Sequence, residues 1–200
     1  AQSDSPTEGI QATGLTTPDP VLLHHTLRQF VDQGLRACAI EASSIGLEEQ
    51  RLAGTQIRVA LFTNITQDHL DYHGTMDAYW RAKRQLFAWP GLAAAVINVD
   101  APLGAELADS LDRSQIDVWT VSIRQTARLQ ARNIVYESQG VCFEVVEGDA
   151  VEMLRTRLMG VYNVSNLLGV LAAMRSLGVP LRDAVGACGA LHPVPGRMEC

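Results

Sequence analysis

The sequence predicts an α/β fold, a mostly parallel sheet flanked by helices with an antiparallel region at one edge. Up to about residue 122, short apolar runs that end in polar residues alternate with helical stretches. That alternation calls for parallel strands joined by right-handed crossovers. Residues 128–160 alternate apolar and polar positions instead, as in Val141-Cys142-Phe143-Glu144-Val145-Val146, which predicts hairpins. With 200 residues, 47% of them hydrophobic, the chain is long enough to bury a core as one domain.

The elements follow in order. Thr16-Thr17-Pro18-Asp19-Pro20 carries N-cap side chains followed by proline at a first-turn position, so a helix starts there. Val21, Leu22, Leu27, Phe30 and Val31 recur at helical spacing, and Gly34 ends the helix. Ala37-Cys38-Ala39-Ile40 predicts a short buried strand closed by Glu41-Ala42-Ser43-Ser44. Ile57, Val59, Ala60, Leu61 and Phe62 predict a second strand ending at Thr63-Asn64. Thr75 caps a helix running through Tyr79, Lys83 and Leu86 to about Phe87. Beyond Trp89-Pro90-Gly91 come a strand over 93–99, a helix over 102–111 and a strand over 117–122. Helices over about 163–176 and 181–190 follow the hairpin region.

Composition narrows the function. A net charge of −6 argues against nucleic-acid binding, which asks for a basic face. No apolar run reaches the roughly 20 residues that span a bilayer, and Ala-Gln-Ser-Asp-Ser-Pro is no signal peptide. Cys38, Cys142, Cys188 and Cys200 are widely separated, with none of the spacing of a zinc site. Cys38 in its apolar segment predicts a buried reduced thiol, hence a reducing compartment, the cytoplasm. The chain has 15 arginines and a single lysine, Lys83.

Ligands of open α/β sheets collect beyond the carboxyl ends of the strands. Two predicted strands end in polar residues there, at Glu41-Ala42-Ser43-Ser44 and at Thr63-Asn64, which runs on to Asp68-His69. A carboxylate and an imidazole at neighbouring strand ends can hold a divalent cation. Each residue also has a blander role: Glu41 as a turn-capping carboxylate, His69 as a solvent-facing loop histidine.

EASS, TNITQDHLDYHG and AYWRAKRQLF, with TTPDP before them and YNVSNLLGVLAAM and GRMEC after, resemble the central ATPase domain of the Mur ligases. The similarity runs from about Gly14 to the C-terminus, and DHLDYHG with the downstream Ala-Lys pair is its most specific part. The blocks sit nearest the branch that adds the third residue of the peptidoglycan stem.

The resemblance implies a P-loop-type sheet and an ATP-dependent amide ligase. ATP phosphorylates the terminal carboxylate of UDP-MurNAc-L-Ala-D-Glu, and a diamino acid, with meso-diaminopimelate favoured over L-lysine, attacks the acyl phosphate. It implies a cytoplasmic monomer with no membrane insertion, acting in cell-wall synthesis. By the same resemblance, Lys83 is a lysine carbamylated by CO2 that shares Mg²⁺ with Glu41 and His69. Thr16, Thr17, Ser43 and Arg51 fall at positions that bind the UDP-muramoyl substrate, and Asn163, Asn166 and Arg197 at positions on the nucleotide side. The chemistry is coherent. At pH 7 only about one lysine in 2,500 is the neutral amine that CO2 needs, and a nearby Mg²⁺ favours the anion that forms.

Two positions depart from the family pattern. Ile45 stands where many relatives have histidine, and Glu49 where a glutamine often contacts substrate; a carboxylate there would repel phosphates. The family's Gly-Lys-Ser/Thr phosphate loop also has no counterpart, since Lys83 is the only lysine. The expectation is therefore a partial central domain over 1–200, truncated on its N-terminal side, with the UDP-binding and C-terminal domains outside it. Such a fragment alone is expected to be inactive. A folylpolyglutamate- or cyanophycin-type ligase, or a non-catalytic folded fragment, are the alternatives.

Overall fold

A computed structural model of the chain describes residues 14–191. Contacts divide the chain into two compact units: Ala1–Thr55 with Gln67–Ala88, and Gln56–Thr66 with Trp89–Cys200.

The first unit is helical. It holds α1 (Pro20–Asp32), α2 (Ser44–Glu48), α3 (Leu70–His73) and α4 (Met76–Arg84), the last continuing as a 3-10 turn, Gln85–Ala88. Asp19 caps α1, its carboxylate accepting from the amides of Val21 and Leu22, with Pro20 in the first turn as the sequence predicts. Thr75 caps α4 by accepting from the amide of Ala78. Leu23, Leu47, Leu52, Tyr79, Ala82 and Phe87 are buried here, and α4 packs on α2 and α3.

One expectation fails. Residues 37–40 form no strand, and Ala37, Cys38, Ala39 and Ile40 are exposed. An extended apolar segment becomes a strand only when a neighbour satisfies its backbone groups, and this one pairs with nothing among the described residues. Cys38 is therefore an exposed thiol, whereas Cys142 and Cys188 are buried. Burial pushes the Cys188 thiol up to about 11.

The second unit is a six-stranded sheet in sequence order: β1 (Val59–Phe62), β2 (Ala94–Asn98), β3 (Asp117–Ser122), β4 (Leu129–Glu137), β5 (Gly140–Glu147) and β6 (Ala150–Thr156). Strands β1 to β4 pair in parallel, and β4 to β6 form the antiparallel edge that the alternating pattern predicts. The link from β3 to β4 is short for a parallel pair. It suffices because the two overlap only at Val121↔Leu129 and Ser122↔Gln130.

Among the described residues, three helices complete this unit: α5 (Pro102–Ser110), α6 (Val161–Ser176) and α7 (Leu181–Gly189). Neighbouring side chains on β1 point to opposite faces. A Cβ on Gly104 of α5 would approach Phe62, and one on Gly169 of α6 would approach Leu61, so α5 and α6 cover opposite faces. Val164, Leu167, Leu168 and Leu171 of α6 join Val96, Val121, Leu129 and Phe143 in the main core. No helix among the described residues is long and apolar enough to cross a membrane.

Candidate functional site

Segment 41–44 has no ladder to hold it, yet side chains fasten each of its residues. Thr17 is fully buried, at 0% exposure. Its hydroxyl donates to the Glu41 carbonyl at 2.7 Å, accepts from the Ser43 amide at 2.9 Å and lies 3.0 Å from the Ser43 hydroxyl. Lys83 Nζ donates to the Ala42 carbonyl at 3.2 Å. Ser44 Oγ lies 2.9 Å from His73 Nε2. Thr17 therefore caps no helix, a task that falls to Asp19; it fixes the backbone from which the Glu41 carboxylate projects.

Ser43 caps α2, its hydroxyl accepting from the Gly46 amide at 3.0 Å. Thr16 is exposed beside Thr17. The Arg51 side chain is only 16% exposed. Its Nη1 donates to the Thr17 carbonyl at 3.1 Å, while Nε and Nη2 both reach Glu49 Oε2, at 2.8 and 2.6 Å. Glu49 thus neutralises Arg51 and meets the Tyr72 hydroxyl at 3.4 Å. Half-buried Ile45 fills the position where histidine is common.

The DHLDYHG segment folds as one turn, α3, opened by His69 in the left-handed region at φ 52°. The Asp68 carboxylate accepts from the His69 amide at 2.8 Å and steadies that backbone. The His69 ring meets the Tyr79 ring edge-on at 6.0 Å, and Lys83 Nζ stands 6.0 Å from the centre of the same ring. Tyr79 and Lys83 are one turn apart on α4, so they share a face. Burial lowers the Lys83 pKa below the ordinary lysine value, against the opposing pull of Glu41 and Asp68. Burial, then the charges of Asp68 and Glu41, raises that of Tyr79. Glu41 and Asp68 therefore lie within electrostatic reach of Lys83, and His69 and Lys83 both neighbour the Tyr79 ring.

No group of three or more His, Cys, Asp or Glu side chains among the described residues is placed to hold a metal ion. Glu41 and His69 offer one hard oxygen and one nitrogen donor. An ammonium beside them would repel a cation, whereas an anionic carbamate on the same nitrogen would complete an oxygen-rich set suited to Mg²⁺. The donor chemistry fits the metal only with Lys83 modified.

The residues expected on the nucleotide side belong to the other unit. Asn163 donates to the Met159 carbonyl at 2.7 Å, a local bond at the start of α6. Asn166 lines a cavity of about 90 Å³ with Thr63, Asn64, Asn98 and Tyr162, at the carboxyl ends of β1 and β2. Arg197 lies outside the described residues.

Sequence reasoning passed over His73, whose side chain is 1% exposed. Its Nδ1 lies 3.2 Å from Glu48 Oε2, and its ring stacks on Tyr79 at 5.4 Å. Hydroxyl, imidazole and carboxylate stand here in the order of a catalytic triad. Ser44 is fully buried, however, so no substrate can reach it and the trio fastens structure instead. The i, i+4 spacing of His69 and His73 was the available signal.

A family profile described as "Mur ligase middle domain" matches residues 4–174. A UDP-N-acetylmuramoyl-L-alanyl-D-glutamate–2,6-diaminopimelate ligase of Acidovorax sp. (strain JS42) is 61% identical over 190 residues, 95% of this chain and 38% of that protein. The ligase of the same name from Janthinobacterium sp. (strain Marseille) is 46% identical over 197 residues, 95% of this chain and 39% of that protein. A solved structure of a ligase with that name superposes with a TM-score of 0.82 at 35% identity, covering 90% of this chain and 38% of the other. A MurF from Acinetobacter baumannii, with a TM-score of 0.63 at 23% identity over 72% of this chain and 31% of its own, shares the fold. The chain thus spans under two-fifths of the length of these curated relatives.

Proposed function

The chain belongs to the Mur ligase family through its middle domain, and on that premise we propose that it is part of an ATP-dependent amide ligase of peptidoglycan precursor synthesis. The ligase joins 2,6-diaminopimelate to UDP-MurNAc-L-Ala-D-Glu, the reaction that the names of its relatives describe. It works in the cytoplasm as a monomer. The observation that carries this reading is Lys83, a partly desolvated amine set beside Glu41, Asp68 and, across Tyr79, His69.

Desolvation raises the share of neutral amine that can take up CO2. The ammonium first loses one proton to become the amine; the bond then forms between Nζ and the carbon of CO2 with loss of a second, so a cation becomes an anion and two protons pass to solvent. The nitrogen keeps one N–H, which can go on donating to the Ala42 carbonyl and turn the carboxylate away from it. Glu41, His69 and the Lys83 carbamate would then hold Mg²⁺. Bound Mg²⁺ and ATP supply charge neutralisation and the phosphoryl group that activates the acceptor carboxylate.

The remaining side chains bind and orient. Arg51 presents a planar fork suited to a phosphate or carboxylate, and Glu49 must yield it when the acceptor arrives. Thr16 and Ser43 lie on the segments that Thr17 ties together and would add polar contacts to the acceptor. Asn166, in its cavity at the strand ends, and Arg197 serve the nucleotide side, while Asn163 shapes the start of α6.

The test is ligation by the complete gene product. With ATP, Mg²⁺ and UDP-MurNAc-L-Ala-D-Glu, 2,6-diaminopimelate is expected to be consumed with stoichiometric phosphate release, and L-lysine far more slowly. Product with L-lysine alone, or with a folate acceptor, would overturn the assignment.

A further inference from the structure

His69 occupies a left-handed backbone conformation, unfavourable for a non-glycine residue, that persists only where its surroundings hold it. The turn it opens is fastened at its far end. The His73 amide donates to the His69 carbonyl at 3.0 Å, closing the single turn between them. The His73 ring is tied in three directions: Nε2 to Ser44 at 2.9 Å, Nδ1 beside Glu48 at 3.2 Å, and its face on Tyr79 at 5.4 Å. The carboxylate places the ring proton on Nδ1, which leaves Nε2 to accept from the Ser44 hydroxyl. Both nitrogens of the buried ring then have partners.

These ties join the three pieces of chain that carry the proposed metal donors. Ser44 ends the segment that bears Glu41. Tyr79 lies one turn before Lys83 and touches the His69 ring. His73 itself closes the turn that His69 opens. Its own nitrogens are spent on Ser44 and Glu48, so it cannot also bind a metal.

We propose that His73 is a positioning residue for the metal site, holding the His69 imidazole in register with Glu41 and Lys83 through its joint contacts to Ser44, Glu48 and Tyr79. This rests on the Mg²⁺ site proposed above. Residues that orient metal ligands typically cost 10–100-fold in metal affinity when removed. Because the donors themselves remain, excess metal can restore the maximal rate.

The experiment measures Mn²⁺ binding by electron paramagnetic resonance, and the Mg²⁺ dependence of ligation, in the complete gene product. For His73→Ala the Mn²⁺ dissociation constant is expected to rise about tenfold or more. The Mg²⁺ needed for half-maximal rate should rise in step, with the rate at saturating Mg²⁺ largely kept. His73→Gln, which can still bridge Ser44 and Glu48, should recover most of the affinity, and Ser44→Ala should weaken it in the same direction. Wild-type Mn²⁺ affinity in folded His73→Ala overturns the proposal. Should that variant not fold, wild-type affinity in Ser44→Ala, or no better affinity in His73→Gln than in Ser44→Ala, overturns it. His69→Ala run in parallel separates the two claims. If it leaves Mn²⁺ binding intact, the metal-site reading fails; if it weakens binding while the His73 and Ser44 variants do not, only the positioning role fails.

Discussion

Lys83 donates from Nζ to the carbonyl of Ala42 at 3.2 Å, across 41 positions of the chain. This bond brings the only lysine of these 200 residues to the segment that carries Glu41, where burial lowers its pKa. Replacing it by Ala in the complete gene product should reduce ligation about 100-fold or more, the scale of losing a charge-stabilising group. Added bicarbonate should restore nothing, since no amine remains to carry it. Steady-state phosphate release checks both outcomes.

The same burial sets a pH dependence. A lysine pKa below its ordinary value of about 10.4 means that the neutral amine accumulates at lower pH than on an exposed lysine. At constant dissolved CO2, carbamate on Lys83 should therefore rise with pH and reach half-occupancy below the pH at which a surface lysine does. Carbon-13 labelling of the carbonyl, compared with a lysine-containing peptide, measures the displacement.

Thr17 predicts a stability effect. Thr17→Val keeps the shape but leaves the Glu41 carbonyl and the Ser43 amide without their hydroxyl partner. An unsatisfied buried polar group costs about 1–3 kcal/mol, so a loss of about 2 kcal/mol is expected, and under 1 kcal/mol for Thr17→Ser. Urea denaturation of the two variants checks the difference.

Much of this fold is legible from local pattern. The apolar runs at 59–62, 94–98 and 117–122 become parallel strands, and the alternation after residue 128 becomes the antiparallel edge. Ala37–Ile40 misleads because its pattern is a strand's, while the partner that would make it one is absent among the described residues. Helix α2 is too short to show a 3.6-residue period. Of the candidate site, Glu41, His69 and Lys83 stand out through chemistry and motif. His73 does not, because a histidine in a polar loop looks solvated until α2 and α4 close over it. Glu49, troubling as a neighbour of phosphates, makes sense once Arg51 is seen against it.

That pair gives a further expectation. Glu49→Gln removes the charge that competes with an anionic acceptor for Arg51. The Michaelis constant for the UDP-linked acceptor should fall about 3- to 10-fold, the effect of one exposed ion pair of about 1 kcal/mol, with the maximal rate unchanged. Initial-rate measurements over a range of acceptor concentration decide it.

Two glycines test the packing. A Cβ on Gly104 would lie 2.0 Å from the Asn98 carbonyl oxygen, so Gly104→Ala must push α5 off the end of β2. It should cost about 3 kcal/mol. Gly186, within α7, has nothing within 4 Å of such a Cβ, and Gly186→Ala should stabilise by about 0.5–1 kcal/mol. Thermal midpoints moving in opposite directions would match both assignments.

The most direct test asks whether a carbamate on Lys83 sits against a metal. The complete gene product, equilibrated with carbon-13 bicarbonate and Mg²⁺, should show a carbamate carbonyl resonance that is absent in Lys83→Arg. That resonance should broaden when Mn²⁺ replaces Mg²⁺. No resonance in the wild-type protein, or one indifferent to Mn²⁺, would contradict the account.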